Sequence, residues 1–294
     1  MIDDYQYTYD GAGNRLTQTV NGTTTTYTYN NANELTAADS ITYSYDANGN
    51  LTGNSAGLSL SYNALNQTAS ITPPGGTAIG MSYAGDSQVE RVAAGSRSFT
   101  NSALGLSLAV DGSGTTAYIR DNQGKLTEQR TPSGNYYYLF DGLGSVVALT
   151  DSSGAVVNTY SYDPYGNTKS STGTVDNPWR FGGSYGAYHD ADTGLYKIGM
   201  RYYSPELGRW TQQDPMVHLF DPVQLNRYAY AGCNPSNISD PSGMAFTGCS
   251  FIFLVVGIGV NVGMYFWMPM TGGASLIVGI LFGASLWVLE SRFC

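Results

Sequence analysis

Tyrosines alternate with small polar residues in short bursts along the first ninety positions. Residues 7–17 (YTYDGAGNRLT), 27–36 (YTYNNANELT) and 43–52 (YSYDANGNLT) share Tyr-x-Tyr, then Asp or Asn, a small turn, and Leu-Thr. Looser copies span 60–71 (LSYNALNQTASI) and 81–92 (MSYAGDSQVERV). A period of two puts both rings on one face of a strand and Thr or Ser on the other. Asp or Asn supplies a side-chain acceptor, and Gly or Asn tolerates left-handed backbone, so each copy predicts a β-hairpin whose return strand opens at Leu-Thr. The second tyrosines, Tyr9, Tyr29, Tyr45, Tyr62 and Tyr83, lie 20, 16, 17 and 21 residues apart and should share one face. One hairpin cannot bury its aromatic face, so the copies must stack as an array.

The pattern fades over residues 95–125 and returns as a denser block at 136–167, with turns at Asp-Gly-Leu-Gly and Asp-Ser-Ser-Gly. A polar linker (TKSSTGTVDNP) leads to 179–215, and LNRYAYAGCNPSNISDPSG closes the polar body at 225–243. Beyond Met244 the alternation stops, and only Glu290 and Arg292 are charged. Residues 250–268 form an uncharged run that, as a helix, spans about 28 Å. The sequence PMTGG interrupts it at 269–273, and 274–289 is a second apolar run. Tyr265, Phe266, Trp267 and Trp287 sit where interfacial anchors would, and Gly259/Gly263 and Gly279/Gly283 give each run a close-packing face. This pattern predicts an α-helical hairpin in a lipid membrane through residues 250–289.

Composition narrows the classes of function. With 13 basic against 22 acidic residues, a net charge of −9 and no basic cluster, nucleic acid is not an expected partner of the body. Only 12% of residues are charged, while Tyr (24) and Gly (37) abound, which favours a Tyr-lined β structure over disorder. Cys233, Cys249 and Cys294 have neither metal spacing nor a disulfide framework. His189 opens HDADTG, which lacks the glycine and distal glutamate of a calcium loop and predicts a plain turn. No cofactor or metal is expected. The start, MIDDYQYTYD, has no charged and apolar leader of the signal-peptide kind.

The linked motifs in residues 136–167, 201–215 and 225–243 resemble the RHS/YD-repeat family, with its RHS repeat-associated core, related to the C subunits of insecticidal toxin complexes and more distantly to teneurins. The resemblance implies an all-β spiral of YD-repeat hairpins curving into a shell, with the core as a plug and the shell enclosing a variable, usually toxic, downstream polypeptide. It divides the chain into repeats at 1–130, core at 131–244 and a variable apolar tail at 245–294. Ser204 stands where the family usually has Asp, Cys233 where it generally has Asn, and the connection DPMVHLFDPVQLN is long. Five copies are too short a wall to close a shell, which suggests a piece of a longer protein.

Asp214 and Asp240, with Arg201, are the candidate catalytic residues. Two close carboxylates cannot both ionise cheaply, so one can activate water while its protonated partner polarises a carbonyl. An arginine beside them can hold one carboxylate ionised or stabilise an oxyanion. Asp-Pro is also an ordinary turn initiator, present at Asp163, Asp214, Asp221 and Asp240, and Asp221 could replace Asp214. The resemblance implies aspartyl-protease-like self-cleavage between Met244 and Ala245. The expected protein is a self-processing shell carrying its own tail as a membrane-active effector, secreted or at the cell surface, with an upstream shell portion, delivery proteins and an immunity protein as partners. The alternative is a surface structural or adhesion module that binds glycans through its tyrosine face and is anchored by the tail.

Overall fold

The computed structural model describes residues 3–216 and 225–244, plus two short strands in the tail. Eighteen strands, from β1 (Tyr5–Tyr9) to β18 (Thr168–Thr172), form one sheet. Each pairs antiparallel with the next in sequence. The wall is therefore longer than five copies, since it runs on through the segment where the pattern fades. Strand β14 (Leu126–Thr131) crosses residue 130 with unbroken pairing on both sides. The two ends of the wall also meet through side chains. Lys169 of β18 pairs with Asp3 and lies 5.5 Å from the Tyr5 ring, and the Tyr9 and Tyr165 hydroxyls are 2.6 Å apart.

Nine turns are built alike, opening at Asp10, Asn30, Asp46, Asn54, Asn63, Asp121, Asp141, Asp151 and Asp163. In each, the Asx main chain bonds residues three and four ahead, and its Oδ1 accepts from the N–H groups two and four ahead. The residue three ahead always has positive φ, as at Gly49 (76°) and Asn66 (61°), which explains the restriction to Gly and Asn.

The Tyr-x-Tyr strands present both tyrosines toward the core and the intervening Thr or Ser to solvent, as alternation requires. Three hydroxyls of second tyrosines reach back to an earlier strand: Tyr29 donates to the Arg15 carbonyl, Tyr62 to Leu51 and, in the denser block, Tyr162 to Val146, at 2.7–2.9 Å; Tyr83 instead meets the Tyr202 hydroxyl. The first copy corrects the expected start of the return strand. Strand β2 opens at Arg15, and Leu16 is 38% exposed. The turn keeps its fixed length, so the residue six after the second tyrosine points inward, and here that residue is Arg15 where later copies have Leu35 and Leu51. Buried Arg15 is accommodated over the Tyr27 and Tyr165 rings and bonds the Tyr27 hydroxyl.

Residues 177–216 and 225–243, called the plug below, centre on a second sheet of β19 (Tyr188–Asp190), β20 (Leu195–Ile198), β21 (Arg201–Ser204) and β22 (Arg209–Trp210). Phe181, Tyr196, Tyr203, Trp210 and Tyr230 pack into its own aromatic core. Tyr202 and Leu195 join the wall's Leu51, Leu60, Ile71 and Met81. Wall and plug thus share buried apolar clusters, a main stabilising term for both.

The tail, Gly248–Cys294, is a separate unit. Its described residues are not helical: β23 (Tyr265–Met268) pairs antiparallel with β24 (Leu276–Gly279). Aromatic and β-branched residues favour strands, so in these eight residues local preference overrides the helical reading. The remainder of both expected helices lies outside the described residues. Among the described residues, no helix is long and apolar enough to cross a membrane.

Candidate active site

The site is assembled where the β20–β21 hairpin meets the last residues of the body. Gly199, in the hairpin turn, has φ 48°, and a Cβ there would lie 1.8 Å from the Ser242 carbonyl oxygen. That close approach lets Met200 N–H donate to the same oxygen at 3.0 Å, docking 242–244 against the start of β21. Gly243 answers it with φ 64° and equally little room for a side chain, its virtual Cβ 2.4 Å from the Ile198 carbonyl.

Arg201, the first residue of β21, is buried with its guanidinium 4.1 Å from the Trp210 ring centre. Its Nη2 donates to Asp214 Oδ2 at 2.7 Å and to Asp240 Oδ2 at 3.3 Å. Its Nη1 donates to the Arg227 carbonyl at 3.1 Å, and its Nε to the Gly243 carbonyl. Asp214, Arg227, Asp240 and Gly243, up to 42 positions away, therefore converge on one guanidinium, with both carboxylates buried. Burial pushes the Arg201 pKa down, and Asp214 and Asp240 oppose that shift. A lone buried guanidinium would be costly, so the carboxylates stabilise it as much as it stabilises them.

The other carboxylate oxygens are held as well. Asp214 Oδ1 accepts from Met216 N–H at 2.8 Å; Asp240 Oδ1 accepts from the Ser242 hydroxyl at 3.0 Å and from Met244 N–H at 3.3 Å. Met244, the residue before the expected cut, thus touches one carboxylate directly; Ala245 lies outside the described residues, as do Asp221 and His218. Sequence reasoning missed Arg227, whose Nε donates to the Asp214 carbonyl at 2.7 Å, and Ser242. Both sit inside the motifs that carried the resemblance, so their position was visible although their role was not.

The family departures have local explanations. Ser204 retains the turn function of an aspartate, its hydroxyl accepting from Leu207 N–H at 3.2 Å. Cys233 ties plug to wall, its thiol 2.9 Å from the Gly13 carbonyl oxygen. His189 stands apart from Arg201 and its carboxylates, its ring 4.8 Å from that of Tyr196, and burial lowers its pKa to about 4. Among the described residues, no group of His, Cys, Asp or Glu could hold a metal ion.

Comparison with known proteins agrees with this architecture. The Teneurin YD-shell family model matches residues 109–236. The tRNA3(Ser)-specific nuclease WapA of Bacillus spizizenii is 30% identical over 270 residues, 86% of this chain and 11% of that protein. Toxin subunit YenC2 of Yersinia entomophaga is 36% identical over 97 residues, 32% of this chain and 10% of that subunit. The chain belongs to the RHS/YD-repeat family. The crystal structure of TcdB2-TccC3-TEV shares the fold at a TM-score of 0.50, with 18% identity over 82% of this chain and 17% of that chain. This YD-repeat chain spans about a tenth of the length of the curated relatives described here.

Proposed function

We propose that residues 1–244 are the terminal wall and plug of a toxin-type shell that cuts its own chain between Met244 and Ala245. The observation that carries this reading is the meeting of Arg201, Asp214 and Asp240 on the two residues, Gly243 and Met244, that precede the bond. Arg201 bonds Asp214 more closely, which favours ionised Asp214 as the base that takes a proton from water. Asp240, beside Met244, carries the shared proton and polarises the Met244 carbonyl. Water adds to that carbon, the C–N bond breaks, and the proton passes to the leaving amine of Ala245. The substrate is the same chain, so proximity makes one slow turnover sufficient.

The released tail, 245–294, acts on lipid membranes in this reading; its apolar composition and the toxin names among the relatives support it. Enclosure of the tail falls to the rest of a longer protein. A cavity between wall and plug, lined by Tyr43, Leu58, Arg180, His189 and Glu206, measures 380 Å³. That is room for about a dozen waters, not for a fifty-residue peptide. Secretion, delivery proteins and an immunity protein belong to the same proposal.

The test is electrophoresis of the folded protein with and without denaturant. The parent should run as one body when native and as two fragments when denatured, while Asp214→Asn and Asp240→Asn each remain intact. An intact parent that fractionates with membranes would instead support the anchored surface module.

A further inference from the structure

We propose that Gln88 is a positioning residue for this site, setting the spacing between the segments that carry Arg201 and Asp214; this rests on the self-cleavage reading. The argument begins with the loop that breaks the rule of the wall. Between Tyr83 and Arg91 the Asx turn is replaced by a wider loop closed by Ala84 N–H to the Glu90 carbonyl at 2.9 Å. Its burial is inverted: Val89 is 49% exposed while Gln88 is only 4% exposed. Apolar burial cannot explain a loop that turns its amide inward and its valine outward.

The bonds of that amide explain it. Gln88 Oε1 accepts from Thr68 N–H of the wall at 2.6 Å. Its Nε2 donates to the Met200 carbonyl at 2.7 Å and to Gln212 Oε1 at 2.6 Å. Met200 immediately precedes Arg201, and Gln212 lies two residues before Asp214. One planar amide, with both N–H donors used, therefore fixes two plug segments against each other and against the wall. Gln212 is held from the far side as well, its Nε2 donating to the Asn66 carbonyl at 2.9 Å and to Asn50 Oδ1 at 3.2 Å. The loop itself is clamped by Gln67, whose Nε2 donates to the Gly85 and Ser87 carbonyls at 3.0 Å. Displacement of a reacting group by about 1 Å can cost on the order of a hundredfold in rate, so this lever is large enough to matter.

The experiment follows the appearance of the 245–294 fragment after refolding the full chain. Gln88→Leu should slow it at least tenfold, and Gln88→Glu further, because a carboxylate would face two acceptors. The Gln88→Glu deficit relative to the parent should shrink as pH falls and the glutamate gains a proton; the Gln88→Leu deficit should not. The control is Leu126→Ala, which opens a different cluster, where wall strands pack against Trp179, and should lower the thermal midpoint without comparable slowing. Amide exchange at Thr211 and Asp214 should accelerate in Gln88→Leu and not in Leu126→Ala, a readout independent of cleavage. A parent that never cuts would refute the self-cleavage reading, and exchange would then decide the positioning role. Cleavage of Gln88→Leu at the parent rate, slowing no greater than in Leu126→Ala, or unchanged exchange would overturn it.

Discussion

Wall and plug are held together by different kinds of contact. Every regular wall turn repeats the same Asx bonds, and Tyr29, Tyr62 and Tyr162 repeat one hydroxyl-to-carbonyl contact to an earlier strand. The plug is fixed by contacts used once: Gly199 against Ser242, Arg201 over Trp210, Cys233 against Gly13. A repeated contact can be lost at one copy with local damage. A contact used once cannot be replaced by its neighbours, so the candidate site in the plug depends on each of its own contacts.

The largest expected effect is therefore in the plug. Trp210→Ala should cost about 3–5 kcal/mol in urea unfolding, because it empties an aromatic core position and removes the surface under Arg201. Gly199→Ala should abolish cleavage, since its Cβ has no room beside Ser242. A Gly199→Ala protein that cuts normally would show that the docking of 242–244 is not needed.

Lys197 gives the next effect, through pH. Burial lowers its pKa to about 7, with Arg91 adding to the shift and Asp190 opposing it. Its ammonium bonds the Gly199 carbonyl and lies 5.9 Å from the Tyr202 ring centre. Between about pH 7 and the ordinary lysine value near 10.4, the unfolded chain holds a proton that the folded protein has released. Stability from this group is lowest below pH 7 and rises by about 1.4 kcal/mol per pH unit across that window. Lys197→Met should remove the slope and stabilise the protein most at or below neutral pH. His189 works on the acid side: neutral in the fold down to about 4, it should lose stability as pH falls from about 6.5, and His189→Phe should flatten that limb.

Smaller effects examine the wall. Tyr29→Phe, Tyr62→Phe and Tyr162→Phe should each cost about 1 kcal/mol, and nearly the same, because each loses one equivalent bond. Similar in size, Asn66→Gly should cost about 1 kcal/mol: glycine suits the same left-handed backbone, but the 2.7 Å bond from buried Asn50 Nδ2 to Asn66 Oδ1 is lost. Tyr7→Phe should cost less, since the buried Tyr7 hydroxyl has no partner among the described residues. Unequal tyrosine losses would break the idea that the copies are equivalent.

The wall was legible because its chemistry is local: Tyr-x-Tyr fixes a face, and Asx with Gly or Asn three residues on fixes a turn. The inward Arg15 was not, because an inserted residue shifts Leu16 while the turn keeps its length. The eighteen-strand extent was hidden where tyrosines thin out, although Asp121 and Gly124 still carry the turn. Arg201, Asp214 and Asp240 were singled out through linked motifs, and the structure brings them together; nothing in their spacing alone distinguishes Asp214 from Asp163, which makes an ordinary wall turn. Gln88 was invisible because its partners come from three distant segments. In the tail, hydropathy suggested helices, while the eight described residues follow their β preference.

The central claim is that Arg201, Asp214 and Asp240 cut the bond after Met244, and the intact mass of freshly purified protein under denaturing conditions tests it most directly. The account predicts two masses, corresponding to residues 1–244 and 245–294, and a single full-length mass for Asp240→Asn. A single full-length mass for the parent, or the same two fragments from Asp240→Asn, would contradict it.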